Sequence, residues 1–285
     1  MADIEIQWHP GFVAAMDLEL EENREDLLYE KEYNLNTKPL EIDLLVIKKR
    51  KNVTIANEVG AFFRQYNIME YKSPDDHLNI DSLYKTIAYA GLYKAYGETV
   101  DSIPADEITV SLVREKKPEG LFSYLKEHDI KVKEEFPGIY YLEDKLLFPI
   151  QIIVGKELDK RNHIWLKALS DDIQRQEMKE FLEKVSQITG KRDKELADSV
   201  LEVSVRANKE IVNQLKGEGD SMCQALLEIM EPEINEIKIT QLINTAREFG
   251  ATDEQIIAKI VSHFHYTEER AEDKLKEYDK GKVNA

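Results

Sequence analysis

Asp43, Glu70 and Lys72 are charged residues set in runs that otherwise read as buried strands, Glu41-Ile-Asp43-Leu-Leu-Val-Ile-Lys48 and Asn67-Ile-Met-Glu70-Tyr-Lys72. An ionised side chain is expensive to bury unless it pairs with an opposite charge or binds a metal. Side chains alternate along a strand, so Glu70 and Lys72 share one face while Met69 and Tyr71 take the other. If the strand carrying Asp43 lies alongside, two carboxylates and an ammonium meet on one patch able to hold a divalent cation and a water. The plainer alternative on spacing alone is an ordinary salt bridge at a sheet rim, Glu70 with Lys72 or Asp43 with a nearby lysine.

Periodicity and turn residues predict the elements around these positions. A helix is expected over 9–26, opened by His9-Pro10 and striped by Phe12, Val13, Met16 and Leu20. Strands at 27–35 and 40–48 flank the turn Asn36-Thr-Lys-Pro39. A short helix at 56–66, a strand at 67–72, a helix at 81–96 ended by Gly97, and a strand at 107–114 follow. Residues 118–170 read as a short helix at 119–128 and strands at 130–133, 138–142 and 150–154, with Phe136-Pro-Gly138 as a turn.

Beyond Asp171 strands are no longer expected, and Gly190, Gly217, Gly219, Pro232 and Gly250 divide the chain into helices. Thr252 and Thr267 are placed to cap two of them. The expected organisation is an α+β domain with a mixed sheet over 1–170, then an all-helical region over 171–285.

Composition narrows the classes. With 42% hydrophobic and 33% charged residues among 285, the chain can bury a sizeable core. Cys223 stands alone, so neither a disulfide framework nor Cys/His zinc spacing is available, and a reducing compartment is the default. There is no Gly-rich phosphate loop and no Gly-x-Ser-x-Gly elbow. No signal peptide or long apolar run is present, which excludes a membrane span and leaves the cytoplasm as the expected location. The formal net charge of −17 opposes broad binding to duplex phosphate, so contact with nucleic acid would rest on local cations or bound metal.

Taken in order, Met16-Asp-Leu-Glu19-Leu-Glu21, Ile42-Asp43-Leu-Leu-Val-Ile-Lys48, Ile68-Met-Glu70-Tyr-Lys72-Ser-Pro-Asp75-Asp76 and Tyr84-Lys-Thr-Ile-Ala-Tyr89-Ala-Gly-Leu-Tyr93 resemble the PD-(D/E)XK nuclease superfamily. Residues 12–94 are similar, more narrowly, to its transposase-associated, recombination-promoting branch. The resemblance implies a restriction-endonuclease-like αβββαβ core, from which the extra helix at 56–66 departs. It implies a Mg²⁺-dependent endodeoxyribonuclease, with Mn²⁺ as a substitute, that hydrolyses phosphodiester bonds in DNA.

In that family pattern Asp43, Glu70 and the Tyr71 carbonyl are the metal ligands, and Lys72 serves the attacking water. Glu19, with Glu21 next, supplies a third acid from the first helix; it lies seven residues after Phe12, on a core-facing stripe, although a solvated acidic face is the alternative. The family's Gln-x-x-x-Tyr signature corresponds to Lys85-Thr-Ile-Ala-Tyr89, with lysine replacing glutamine, so both side chains are expected toward the substrate phosphate or the motif strand, a core stripe being the alternative for Tyr89. Tyr84 and Tyr93 are expected in an aromatic core stripe. Lys48-Lys-Arg-Lys51 reads either as a phosphate contact or, more plainly, as a solvated sheet edge, and Asp75 and Asp76 as turn or capping residues. The C-terminal helices are expected to make protein contacts, including a homo-oligomer. A catalytically silent member of the fold, acting as an interaction or regulatory protein, is the alternative function.

Overall fold

The computed structural model describes residues 6–30, 44–143, 146–217, 239–247, 250–264 and 266–283. Asp43, Cys223 and the distal part of the first predicted strand lie outside the described residues. The fold is α+β: a mixed sheet with helices, then helices alone.

Seven strands form one sheet in the order β1-β2-β3-β4-β7-β6-β5. They are β1 (Leu27–Glu30), β2 (Leu44–Lys49), β3 (Tyr66–Lys72), β4 (Ile108–Arg114), β5 (Val132–Phe136), β6 (Ile139–Leu142) and β7 (Ile150–Val154). β1, β2 and β3 form an antiparallel meander. β3, β4 and β7 run parallel, and β6 and β5 return antiparallel. A parallel pair requires a crossover, and between β3 and β4 it is made by α2 (Ile80–Ala95), which packs on both strands. Asn79 starts this helix with a reciprocal capping box to Ser82.

The two faces of the sheet are read from the parity of β3. Ile68 and Glu70 share a face with Val46, Val110, Leu112 and Ile152, and there the core is closed by Leu83, Tyr89 and Tyr93 of α2 and by Leu121 and Leu125 of α3 (Glu119–Glu127). On the other face Tyr71 stacks on Phe12 of α1 (Trp8–Glu19), ring centroids 4.6 Å apart. α1 in turn packs on α4 (Ile164–Lys167) and α6 (Lys191–Ala207), with α5 (Arg175–Ser186) against α6. The approach of α1 to α6 depends on Gly11, where a Cβ would lie 2.8 Å from a methyl of Val203. Arg24 and Arg192 hold Asp17 at 2.5 and 2.8 Å, and Arg24 also reaches Asp193 of α6 at 2.6 Å.

Strand and helix positions follow the sequence closely, with informative differences. The predicted helix at 9–26 is α-helical only to Glu19, and Glu21–Asp26 continue as a 3-10 turn. The predicted helix at 56–66 shrinks to the single 3-10 turn Glu58–Gly60, capped by the Asn57 side chain. No strand follows β7 among the described residues, as expected from the change in character at 171. The compact unit nevertheless runs from Gln7 to Gln214, because α5 and α6 belong to the layer over α1. α7 (Lys209–Gly217) reaches its limit.

The second unit, from Leu215 on, contains α8 (residues 239–247), α9 (Asp253–Phe264) and α10 (Glu268–Val283). Ile239, Ile243, Ile256, Ile260, Ala271 and Leu275 form its core. Thr252 and Thr267 accept from the backbone N–H of Gln255 and Arg270, the expected caps. Among the described residues, no helix is long and apolar enough to cross a membrane.

Candidate functional site

β3 lies between an antiparallel and a parallel neighbour, so its middle is closed off on both edges. Glu70 sits opposite Leu44 on one side and Leu112 on the other, and only 4% of it is exposed. The Lys72 ammonium, on the same face two residues on, reaches Glu70 Oε1 at 2.8 Å. The other carboxylate oxygen, Oε2, is buried and accepts no hydrogen bond from any described residue. Leaving a buried acceptor unmet costs about 1–3 kcal/mol, and more for a charged one. That open oxygen fits a hard cation that takes few protein ligands and keeps several waters, as Mg²⁺ does. Asp43 immediately precedes Leu44, the residue opposite Glu70, and lies outside the described residues. Among the described residues no group of three or more His, Cys, Asp or Glu side chains is gathered to hold a metal.

Tyr71 occupies the opposite face, as strand parity requires. Its hydroxyl is buried without a hydrogen-bond partner among the described residues. Burial, with Glu115, Asp76 and Asp171 nearby, pushes the phenol well above the ordinary tyrosine range. Glu115 follows the last residue of β4 and is itself 3% exposed. It accepts from Ser170 Oγ and lies 3.5 Å from Lys156 and 3.7 Å from Lys116. Burial raises its carboxyl above the usual range, and Asp171 adds to this, against the opposing pull of Ser170 and the lysines.

Glu19 has a different set of partners from those expected. It is the last residue of α1, and its Oε1 accepts from the backbone N–H of Trp165 and Leu166 at 3.0 and 3.1 Å. Its Oε2 accepts from Asn57 Nδ2 at 3.4 Å and faces His163 Nδ1 at 3.3 Å. His163 is fully buried, and its Nε2 lies 3.0 Å from Glu58 Oε2. Both ring nitrogens therefore face carboxylates, which suits the doubly protonated ring. Burial opposes that charge, but the hydrogen bonds and charges of Glu19 and Glu58 outweigh it and raise the His163 pKa. A cavity of about 350 Å³ opens beside this network, lined by Glu19, Asn57, Glu58 and Trp165 among others. Glu19 thus belongs to the layer on the Tyr71 face, whereas Glu70 and Lys72 face α2.

The Lys85 ammonium lies 5.4 Å from the centroid of the Tyr89 ring, and Tyr89 itself is 5% exposed in the core under α2. Tyr93 is buried there as expected, but Tyr84 is 59% exposed and leaves the stripe, because position 84 falls on the outer side of α2. The cluster at 48–51 is largely paired at the sheet edge. Lys48 binds Glu30 at 2.6 Å, Arg50 binds Asp26 at 3.2 Å, and Lys49 donates to the Val53 carbonyl. Asp76 shapes the turn through Ser73, while the cap falls to Asn79.

His163, Glu58, Glu115 and Arg114 carry no periodic signature. Only the core-facing position of Glu19 hinted that a buried partner was needed, and His163 is 144 residues away in the chain. No protein-family model, no curated protein and no solved structure matches this chain.

Proposed function

We propose that this protein is a metal-dependent endodeoxyribonuclease of the PD-(D/E)XK type, related to the transposase-associated branch and acting in the cytoplasm. The observation that carries the reading is the Glu70–Lys72 pair: one buried face of a central strand, an open carboxylate oxygen and an ammonium beside it. Support also comes from the order of elements, α1-β1-β2-β3-α2-β4, which is the order the resemblance implies.

In this reading Glu70, Asp43 and the Tyr71 carbonyl would be the residues that hold Mg²⁺ or Mn²⁺. The metal would supply Lewis-acid polarisation of the scissile phosphate and a lowered pKa for bound water. Lys72 orients the attacking water and offsets negative charge on the phosphate. Glu70, by anchoring Lys72 through Oε1, fixes where that ammonium points. Glu19 acts at a distance, by tying the end of α1 to α4 and His163. Tyr89 packs against that strand face from α2, with Lys85 exposed over its ring.

The test is cleavage of a DNA duplex by purified protein with Mg²⁺ or Mn²⁺. Glu70→Ala and Lys72→Ala are each expected to lower the rate by about two to three orders of magnitude. Equal residual cleavage in wild type and both variants would mean a contaminant and would end the proposal.

A second reading has its own support. A net charge of −17 and a Glu70 already paired to Lys72 also suit a catalytically silent member of the fold, working through protein contacts of its C-terminal helices or through a second copy of itself. That reading expects no cleavage with any divalent metal.

A further inference from the structure

We infer that Arg114 is a phosphate-binding residue of the Glu70–Lys72 site, contacting the phosphodiester backbone of the nucleic acid; this rests on the nuclease reading above. Arg114 ends β4 in register with Lys72 of β3, one strand away on the same face. Both residues stand at the carboxyl ends of parallel strands, the edge of such sheets where ligands are received. The guanidinium donates to three backbone carbonyls: Asp76 from Nε at 3.0 Å, Lys116 from Nη1 at 3.3 Å and Pro74 from Nη2 at 3.4 Å. A guanidinium carries five N–H donors, so about two remain, one on each terminal nitrogen.

Its charge is treated differently from that of its neighbours. Lys116 and Lys156 are bound by Asp171 and Asp172 at 2.9 and 2.8 Å and share Glu115, and Lys117 lies 3.7 Å from Glu157. Arg114 has no carboxylate at ion-pair distance among the described residues; all three of its acceptors are neutral. In so acidic a chain, a half-buried arginine aimed by carbonyls and left without a counter-ion is a preorganised anion receptor. Two N–H groups in one plane match two phosphate oxygens better than a lysine would. Two of these bonds, to Pro74 and Asp76, hold the turn after β3, so substrate contact and the position of the Lys72 strand end are linked through one side chain.

The experiment is steady-state cleavage of a labelled DNA duplex with Mg²⁺ over a range of salt, using the full chain. Arg114→Gln is expected to raise KM about tenfold, leave kcat within about threefold, and reduce the salt dependence of kcat/KM by about one phosphate contact. Lys259→Gln, the same charge change on exposed α9, is expected to alter none of these. If Arg114→Gln loses the turn and melts early, Arg114→Lys keeps the charge and is expected to raise KM about threefold with the salt slope intact. Unchanged KM and slope in a folded Arg114 variant, with wild type cleaving and Glu70→Ala inactive, would overturn this inference and leave the nuclease reading standing. Cleavage undiminished in Glu70→Ala would remove the nuclease reading and this inference with it.

Discussion

Two buried acids, Glu19 on one face of the sheet and Glu70 on the other, are treated in opposite ways. On the Tyr71 face, both oxygens of Glu19 are engaged, by two helix amides, an asparagine and a histidine. On the α2 face, Glu70 has one oxygen on Lys72 and one that meets nothing. A satisfied buried network fixes a structure, whereas an unsatisfied one stores a demand that a ligand can meet. The contrast therefore separates two acids that look alike in sequence. Glu19 is satisfied within the fold, and Glu70 keeps an oxygen that a ligand can meet.

Exchanging the carboxylates is the hardest test of that contrast. Glu19→Ala is expected to destabilise the N-terminal unit by about 3–5 kcal/mol, since it leaves two helix amides without their acceptor and the buried His163 with Glu58 as its one carboxylate. Glu19→Gln is expected to cost less, about 1–3 kcal/mol. Chemical denaturation reads both, and any cleavage still shown by folded Glu19→Gln should stay within about threefold of wild type. Loss of cleavage at unchanged stability would instead place Glu19 in the catalytic machinery.

A smaller effect is expected from pH. The His163 pKa is raised in the folded state by Glu19 and Glu58 over the opposing effect of burial. Its contribution is then complete below the unfolded value of about 6.5 and is lost as pH rises through the higher folded value. The gap in Tm between wild type and His163→Gln should narrow from pH 6 to pH 9, by about 2–4 °C for each kcal/mol involved. Glu115 also shifts upward, but it is common to both proteins and cancels in the gap. A gap that is flat with pH would mean that folding does not shift the His163 pKa, and one that widens would mean that the ring is held neutral.

Much of the architecture was legible because it depends on local pattern. The alternation in Ile68-Met-Glu70-Tyr-Lys72 gave the correct faces, and the Thr252 and Thr267 caps were visible as residue types. The segment 56–66 read as a helix because Val59, Phe62, Phe63 and Tyr66 mimic a helical stripe. In the structure Val59 instead packs under the sheet, where its carbonyl accepts from Gln151, and tertiary contact overrides the local period. Helices after 171 carry no mark of which core they cover, so the packing of α5 and α6 in the first compact unit is not legible in the sequence. The shared face of Glu70 and Lys72 could be read from spacing. Glu58, His163 and Arg114 could not, since their partners are distant in the chain or are backbone carbonyls that any sequence supplies.

The contrast between the faces is sharpened most directly by calorimetric titration of Mn²⁺ into the wild-type protein, Glu70→Gln and Glu19→Gln. The expected result is uptake by wild type and by Glu19→Gln at millimolar metal or below, and none by Glu70→Gln. No uptake by folded wild type, or uptake that survives Glu70→Gln and is lost in Glu19→Gln, would contradict the assignment of the open oxygen on β3 to a metal.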